Sequence, residues 1–112
     1  MNKELYRFDV ELLSEALSFI ESLDLKTRGK VLENIRISRF KTDPKLLKKV
    51  DKEIWEFRTK YASKQIRLLA FWDKRKKALM ICTSGFIKKS QKLPLKELNK
   101  AKRIRKSILN RN

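Results

Sequence analysis

The stretch Gln65–Asp73, QIRLLAFWD, constrains the fold more than any other part of the chain. Read as a strand, it puts Ile66, Leu68, Ala70 and Trp72 on one side and Leu69 and Phe71 on the other. A strand that is apolar on both faces belongs in the middle of a sheet. Ile54–Arg58 and Lys77–Thr83 read as strands on either side of it in sequence, and Asp73-Lys74-Arg75-Lys76 reads as a polar hairpin loop.

The rest of the chain reads as helices around this sheet. Glu4–Phe8 is a candidate first strand, and Asp9 a candidate N-cap. Val10, Leu13, Leu17 and Ile20 then fall at spacings of 3, 4 and 3, which marks one face of a helix. Asp24 is a second candidate cap, opening a helix whose apolar stripe is Leu25, Val31, Leu32 and Ile35. The short Ser22–Asp24 link predicts an antiparallel helical hairpin. Thr42-Asp43-Pro44 ends the second helix, because proline lacks the amide and disfavours helix at the residue before it. Lys45–Glu53 is expected to be a loop or a short helical turn. Pro94 opens a final helix carrying Leu95, Leu98, Ala101 and Ile108. The expected order is β-α-α-β-β-β-α, an α+β fold with the hairpin on one sheet face and a C-terminal helix. A chain of 112 residues fits one such domain, over 1–112, with room for a real core.

Charge narrows the partners. The net charge is +17, and it is lopsided: residues 1–53 carry 12 basic and 10 acidic side chains, residues 54–112 carry 18 and 3. Such a field attracts polyanions, nucleic acid first and acidic proteins next. No stretch approaches the length of an apolar membrane span, and no signal peptide is visible, so no membrane partner is expected. The one cysteine, Cys82, sits in an apolar strand and reads as a small core residue, which suits a reducing cytoplasm. The chain has no histidine, which excludes imidazole acid–base chemistry, histidine metal sites and Ser-His or Cys-His nucleophiles. Its two glycines build no phosphate-cradling loop, and no metal or cofactor is expected.

Strand register points to one basic constellation. If Ile54–Arg58 pairs with Gln65–Phe71 about a turn near Ala62-Ser63, Arg58 stands opposite Arg67, Trp55 opposite Ala70 and Phe57 opposite Leu68. Alternation then sends Trp55 and Phe57 toward the helical hairpin and both arginines to the other face. Thr83 is expected beside Arg67, with its strand running on toward Lys88 and Lys89. Opposed like charges repel, and Glu56, on the arginines' face, neutralises only one of them. The surplus is what a phosphate would satisfy. The alternative is a set of solvated side chains on an open sheet.

IWEFR at 54–58, the segment GFIKKSQKLP at 85–94 and a basic last helix with Ala101 and Arg103 carry a family resemblance. Together they resemble the phage-related HigB-like toxins of the RelE/ParE superfamily, whose members show a WELR-like strand and a strand end of the form HGFxKKxxKxP. The resemblance spans the chain from the helical hairpin to the last helix. It implies the toxin of a type II toxin–antitoxin pair, a metal-independent endoribonuclease that cleaves mRNA, usually on the ribosome, and inhibits translation. It also implies a HigA-like helix-turn-helix antitoxin as partner. Carried over by motif, Arg58, Arg67, Lys88 and Lys89 become the expected catalytic residues. Lys60, Tyr61, Lys64, Ser84, Gln91 and Lys92 become the expected RNA contacts. Ser84 stands where the family often has histidine; its hydroxyl can hydrogen-bond a phosphate but is no comparable proton acceptor at neutral pH. Two other functions fit the same basic lobe, a ParE-like gyrase poison and a non-catalytic RNA-binding protein.

Overall fold

The computed structural model describes residues 5–111. The elements run β1 (Asp9–Leu12), α1 (Ser14–Glu21), α2 (Leu25–Ser38), β2 (Leu47–Lys49), β3 (Trp55–Tyr61), β4 (Lys64–Trp72), β5 (Leu79–Lys88) and α3 (Leu95–Leu109). The five strands form one sheet in the order β1-β5-β4-β3-β2, so β4 is indeed central. β1 pairs with β5 in parallel, and the other pairs are antiparallel.

β4 is apolar on both faces because it feeds two cores. Ile66, Leu68 and Ala70 join Phe57, Met80 and Cys82 beneath Ala16, Ile20, Val31 and Ile35 of the two-helix layer. Leu69 and Phe71 join Ile54, Ile81 and Phe86 beneath Ala101 of α3. Cys82 is fully buried in the first core, and burial pushes its thiol up to about 12. It packs as a small apolar side chain.

Several local expectations are corrected. The first strand is Asp9–Leu12, later than the expected Glu4–Phe8, whose first residue lies outside those described. Val10 is therefore a strand residue, Asp9 caps no helix, and α1 starts after Leu13 without a side-chain cap. The reason is the parallel ladder: Asp9–Leu12 pairs with Leu79–Cys82 and forms the edge of the sheet. Asp24 does cap α2, its side chain accepting from the Thr27 amide. Within α2, Val31 and Ile35 are buried but Leu25 and Leu32 are exposed; Leu95 of α3 is exposed as well. The segment 45–53 holds the short strand β2 where no strand was expected, paired to Trp55–Phe57.

Glycine is required at one position in β5. A Cβ on Gly85 would run into the Phe19 ring and lie 2.8 Å from Leu68 Cδ2. The bare backbone lets α1 sit down on the sheet. The β3–β4 turn has the opposite character. Ala62 and Ser63 both take positive φ, 52° and 64°, the pair of angles a tight two-residue hairpin needs, without the glycine or asparagine that adopts them most readily.

Candidate nucleic-acid interface

α3 covers only part of its sheet face, and the uncovered part is basic. β3 and β4 pair as expected, with Arg58 opposite Arg67, Trp55 opposite Ala70 and Phe57 opposite Leu68. β5 adds Phe86 beside Arg67 and Lys88 beside Gln65. Thr83 is not the neighbour of Arg67: the β4–β5 hairpin is centred one residue later than expected, setting Trp72 opposite Met80, a bulge between Leu69 and Ala70 adds one residue more, and the Thr83 hydroxyl donates to the Leu69 carbonyl. The strand also runs five residues past Thr83, to Lys88. Three rows therefore cross this face: Lys60, Gln65 and Lys88; Arg58, Arg67 and Phe86; Glu56, Leu69 and Ser84.

Beneath the surface lies a charge cluster. Glu56 Oε1 is 3.4 Å from Arg58 Nε and 3.3 Å from Arg67 Nε, and the Glu56 and Arg67 side chains are almost fully buried. Arg67 also donates to the Gln65 side-chain oxygen at 2.7 Å and to the Ile66 carbonyl at 3.2 Å. Burial lowers the Arg67 guanidinium's pKa, the Glu56 carboxylate opposes that, and Arg58 adds to it. An arginine nevertheless stays protonated at physiological pH. One carboxylate under two guanidinium groups leaves one positive charge over. Arg58 carries it outward, with 29% of its side chain exposed, while its Nη1 donates to the Pro44 carbonyl at 3.3 Å.

Above the cluster is an open groove of about 540 Å3 lined by Lys48, Arg58, Gln65, Lys88, Lys89 and Gln91, among others, with no carboxylate in its lining. The structure thus brings Arg58, Lys88, Lys89 and Gln91 together. Arg67 lies below, committed to Glu56 and Gln65. Ser84 does not reach the groove: it is 1% exposed, and its hydroxyl sits 3.2 Å from the Thr83 hydroxyl. Lys60, Lys64 and Lys92 are exposed, and Tyr61 is half-buried at the hairpin end. Lys48 is not among the expected site residues, because the sequence predicts a loop or short helical turn over 45–53; on β2 it stands opposite Glu56 and reaches the groove. Among the described residues no group of three or more His, Cys, Asp or Glu comes together to hold a metal ion. No helix among them is long and apolar enough to cross a membrane.

Such a surface can neutralise a phosphate from several directions. Arg58 offers a planar fork, and the lysines offer point charges that also carry transferable protons.

Known proteins place this architecture. A model of the family "Phage derived protein Gp49-like (DUF891)" matches residues 18–106, most of the chain. Among solved structures, the E. coli toxin RelE, as a double mutant in the free state, superposes with a TM-score of 0.59 at 13% sequence identity. The match covers 89% of this chain and 98% of that one, and it shows a shared fold. No curated protein sequence matches.

Proposed function

From the chain's membership of the Gp49-like family of phage-derived proteins, we propose that it is the toxin of a type II toxin–antitoxin pair and acts as a metal-independent endoribonuclease on translated mRNA. One observation carries this reading: Arg58, Lys48, Lys88 and Lys89 line one groove without a carboxylate, over a buried Glu56 already shared by two arginines. The RelE fold supports it, and IWEFR with GFIKKSQKLP favours the HigB-like branch of that superfamily.

The reaction uses the RNA 2′-OH as nucleophile. Its oxygen attacks the adjacent phosphorus, its proton passes to a base, and the bond from phosphorus to the leaving 5′-oxygen breaks as an acid protonates that oxygen. The products are a 2′,3′-cyclic phosphate and a 5′-OH. Arg58 stabilises the charge developing on the phosphorane, a contribution of a few kcal/mol for a well-placed donor. Arg67 adds positive potential from below and holds Glu56 in place. Lys88 and Lys89 serve as acid and base, since they line the groove and carry transferable protons. Lys60, Lys64, Gln91 and Lys92 contact RNA on either side, with Tyr61 at the hairpin end. Ser84, covered by the sheet, supports the strand and makes no RNA contact. The partner is a HigA-like helix-turn-helix antitoxin with an acidic contact face, and the site of action is the cytoplasmic ribosome.

The test is purified protein added to ribosomes translating a defined message. Cuts inside the reading frame, whose downstream fragments accept a 5′-label without prior phosphatase, support the reading. A message left intact by protein that still arrests growth refutes it.

A further inference from the structure

A second cavity, of about 460 Å3, adjoins the groove and shares Arg58 and Gln65 with it. Its own walls are Lys30 and Asn34 of α2, Lys45 and Leu46 of the loop before β2, Lys60 of β3 and Arg67 of β4. It too has no carboxylate in its lining. That is more than the protein's general basicity. Cavities elsewhere on the molecule carry acids among their lining residues, Glu15 beside α3 and Glu53 below β2. Glu33, near Lys30 on α2, is bound by Arg36 at 2.8 Å and does not line the cavity.

The walls are fixed by the fold. The Asn34 amide donates to the Thr59 hydroxyl at 3.2 Å, which ties α2 to β3. The Arg58 amide donates to the Leu46 carbonyl at 2.8 Å, and its guanidinium donates to Pro44, which ties down the loop. Arg58 therefore stands at the junction of two basic cavities, held by the 44–46 loop and by Glu56.

Resting on the proposed function, we infer that the second cavity is a binding subsite for the RNA segment next to the scissile phosphate. The single strand passes over Arg58 from one cavity to the other. Lys30, Lys45 and Lys60 neutralise a flanking phosphate, Leu46 offers an apolar surface to a ribose or base, and the Asn34 and Gln65 amides offer hydrogen bonds. The subsite sets substrate affinity, and the groove with Arg58, Lys88 and Lys89 sets the rate.

The experiment uses the full chain and a short 2′-O-methyl oligoribonucleotide, which lacks the attacking hydroxyl and so reports binding alone. Lys30→Ala/Lys45→Ala is compared with Lys26→Ala/Lys41→Ala, which removes the same charge from exposed positions outside both cavities. The subsite predicts about tenfold weaker binding for the first variant only, and a salt slope shallower by about 1 unit, since each phosphate contact on a single strand contributes about 0.7. On a cleavable message the same variant raises KM and leaves kcat within about twofold. Equal weakening by both variants, or none by either, overturns the subsite. Failure of the functional reading looks different: binding would still depend on Lys30 and Lys45 while messages remain uncut.

Discussion

Arg58 and Arg67 face each other directly across β3 and β4, and one oxygen of the Glu56 carboxylate lies 3.4 and 3.3 Å from their Nε atoms. Two like charges placed opposite on a sheet repel, so the pair depends on that carboxylate. Glu56→Gln keeps the shape and removes the charge. It is expected to destabilise the protein by about 3 kcal/mol, the range for breaking a buried ion pair. Adding Arg67→Met should recover most of the loss, because the uncompensated buried cation is gone. Urea denaturation of the two variants checks this. A single variant as stable as the wild type would show that the carboxylate does not hold the arginines.

The register that produces this pair was legible in the sequence. A two-residue turn at Ala62-Ser63 sets the pairing, and alternation then sends Trp55 and Phe57 to one side and Arg58 with Arg67 to the other. The next strand was less legible, since a turn centred one residue past Arg75 and a bulge at Leu69/Ala70, neither of which alternation reveals, together set Phe86 rather than Thr83 opposite Arg67. The N-terminus failed for another reason. Val10, Leu13, Leu17 and Ile20 fit a helix, but Val10 and Leu12 fit a strand equally well, and a long-range parallel pairing with Met80 and Cys82 decided between them. Depth was the least legible property. Arg67 and Ser84 are polar in sequence and 3% and 1% exposed in the fold, because a buried acid pairs one and the hydroxyl of the adjacent Thr83 pairs the other.

The contact between Phe19 and Gly85 makes a second prediction. Gly85→Ala puts a methyl group where the Phe19 ring and Leu68 already sit. The expected cost is about 1–3 kcal/mol, as for other overpacked cores. Combining it with Phe19→Leu should cost less than the sum of the two single changes, since the smaller side chain gives the methyl room. Additive losses by urea denaturation would mean that the two residues do not touch.

Acid sensitivity should trace to particular carboxylates. Hydrogen bonds from Arg75, at 3.0 and 3.1 Å, hold the Asp73 carboxyl below its usual pKa, and the Thr27 hydroxyl does the same for Asp24. A carboxylate whose folded value is depressed contributes stability above its unfolded value, and that contribution fades as pH falls through the folded one. Stability should therefore hold from neutral pH down to about pH 4 and decline below it. Asp73→Asn should be less stable at pH 7 and decline less steeply in acid. Thermal melts across that range decide it, and a variant that declines in parallel with the wild type contradicts the assignment.

The central claim is that Arg58, held by Glu56 beneath and the 44–46 loop beside it, presents its charge to the phosphate of a translated message. The most direct measurement induces the wild type and Arg58→Ala in cells lacking the antitoxin, and records growth together with transcript 5′ ends. The account predicts that the wild type stops growth and cuts within reading frames, while a folded Arg58→Ala lowers cutting by at least about a hundredfold, the scale of losing one transition-state donor. Growth arrest by the wild type with transcripts intact, or cutting by Arg58→Ala at the wild-type rate, would contradict it.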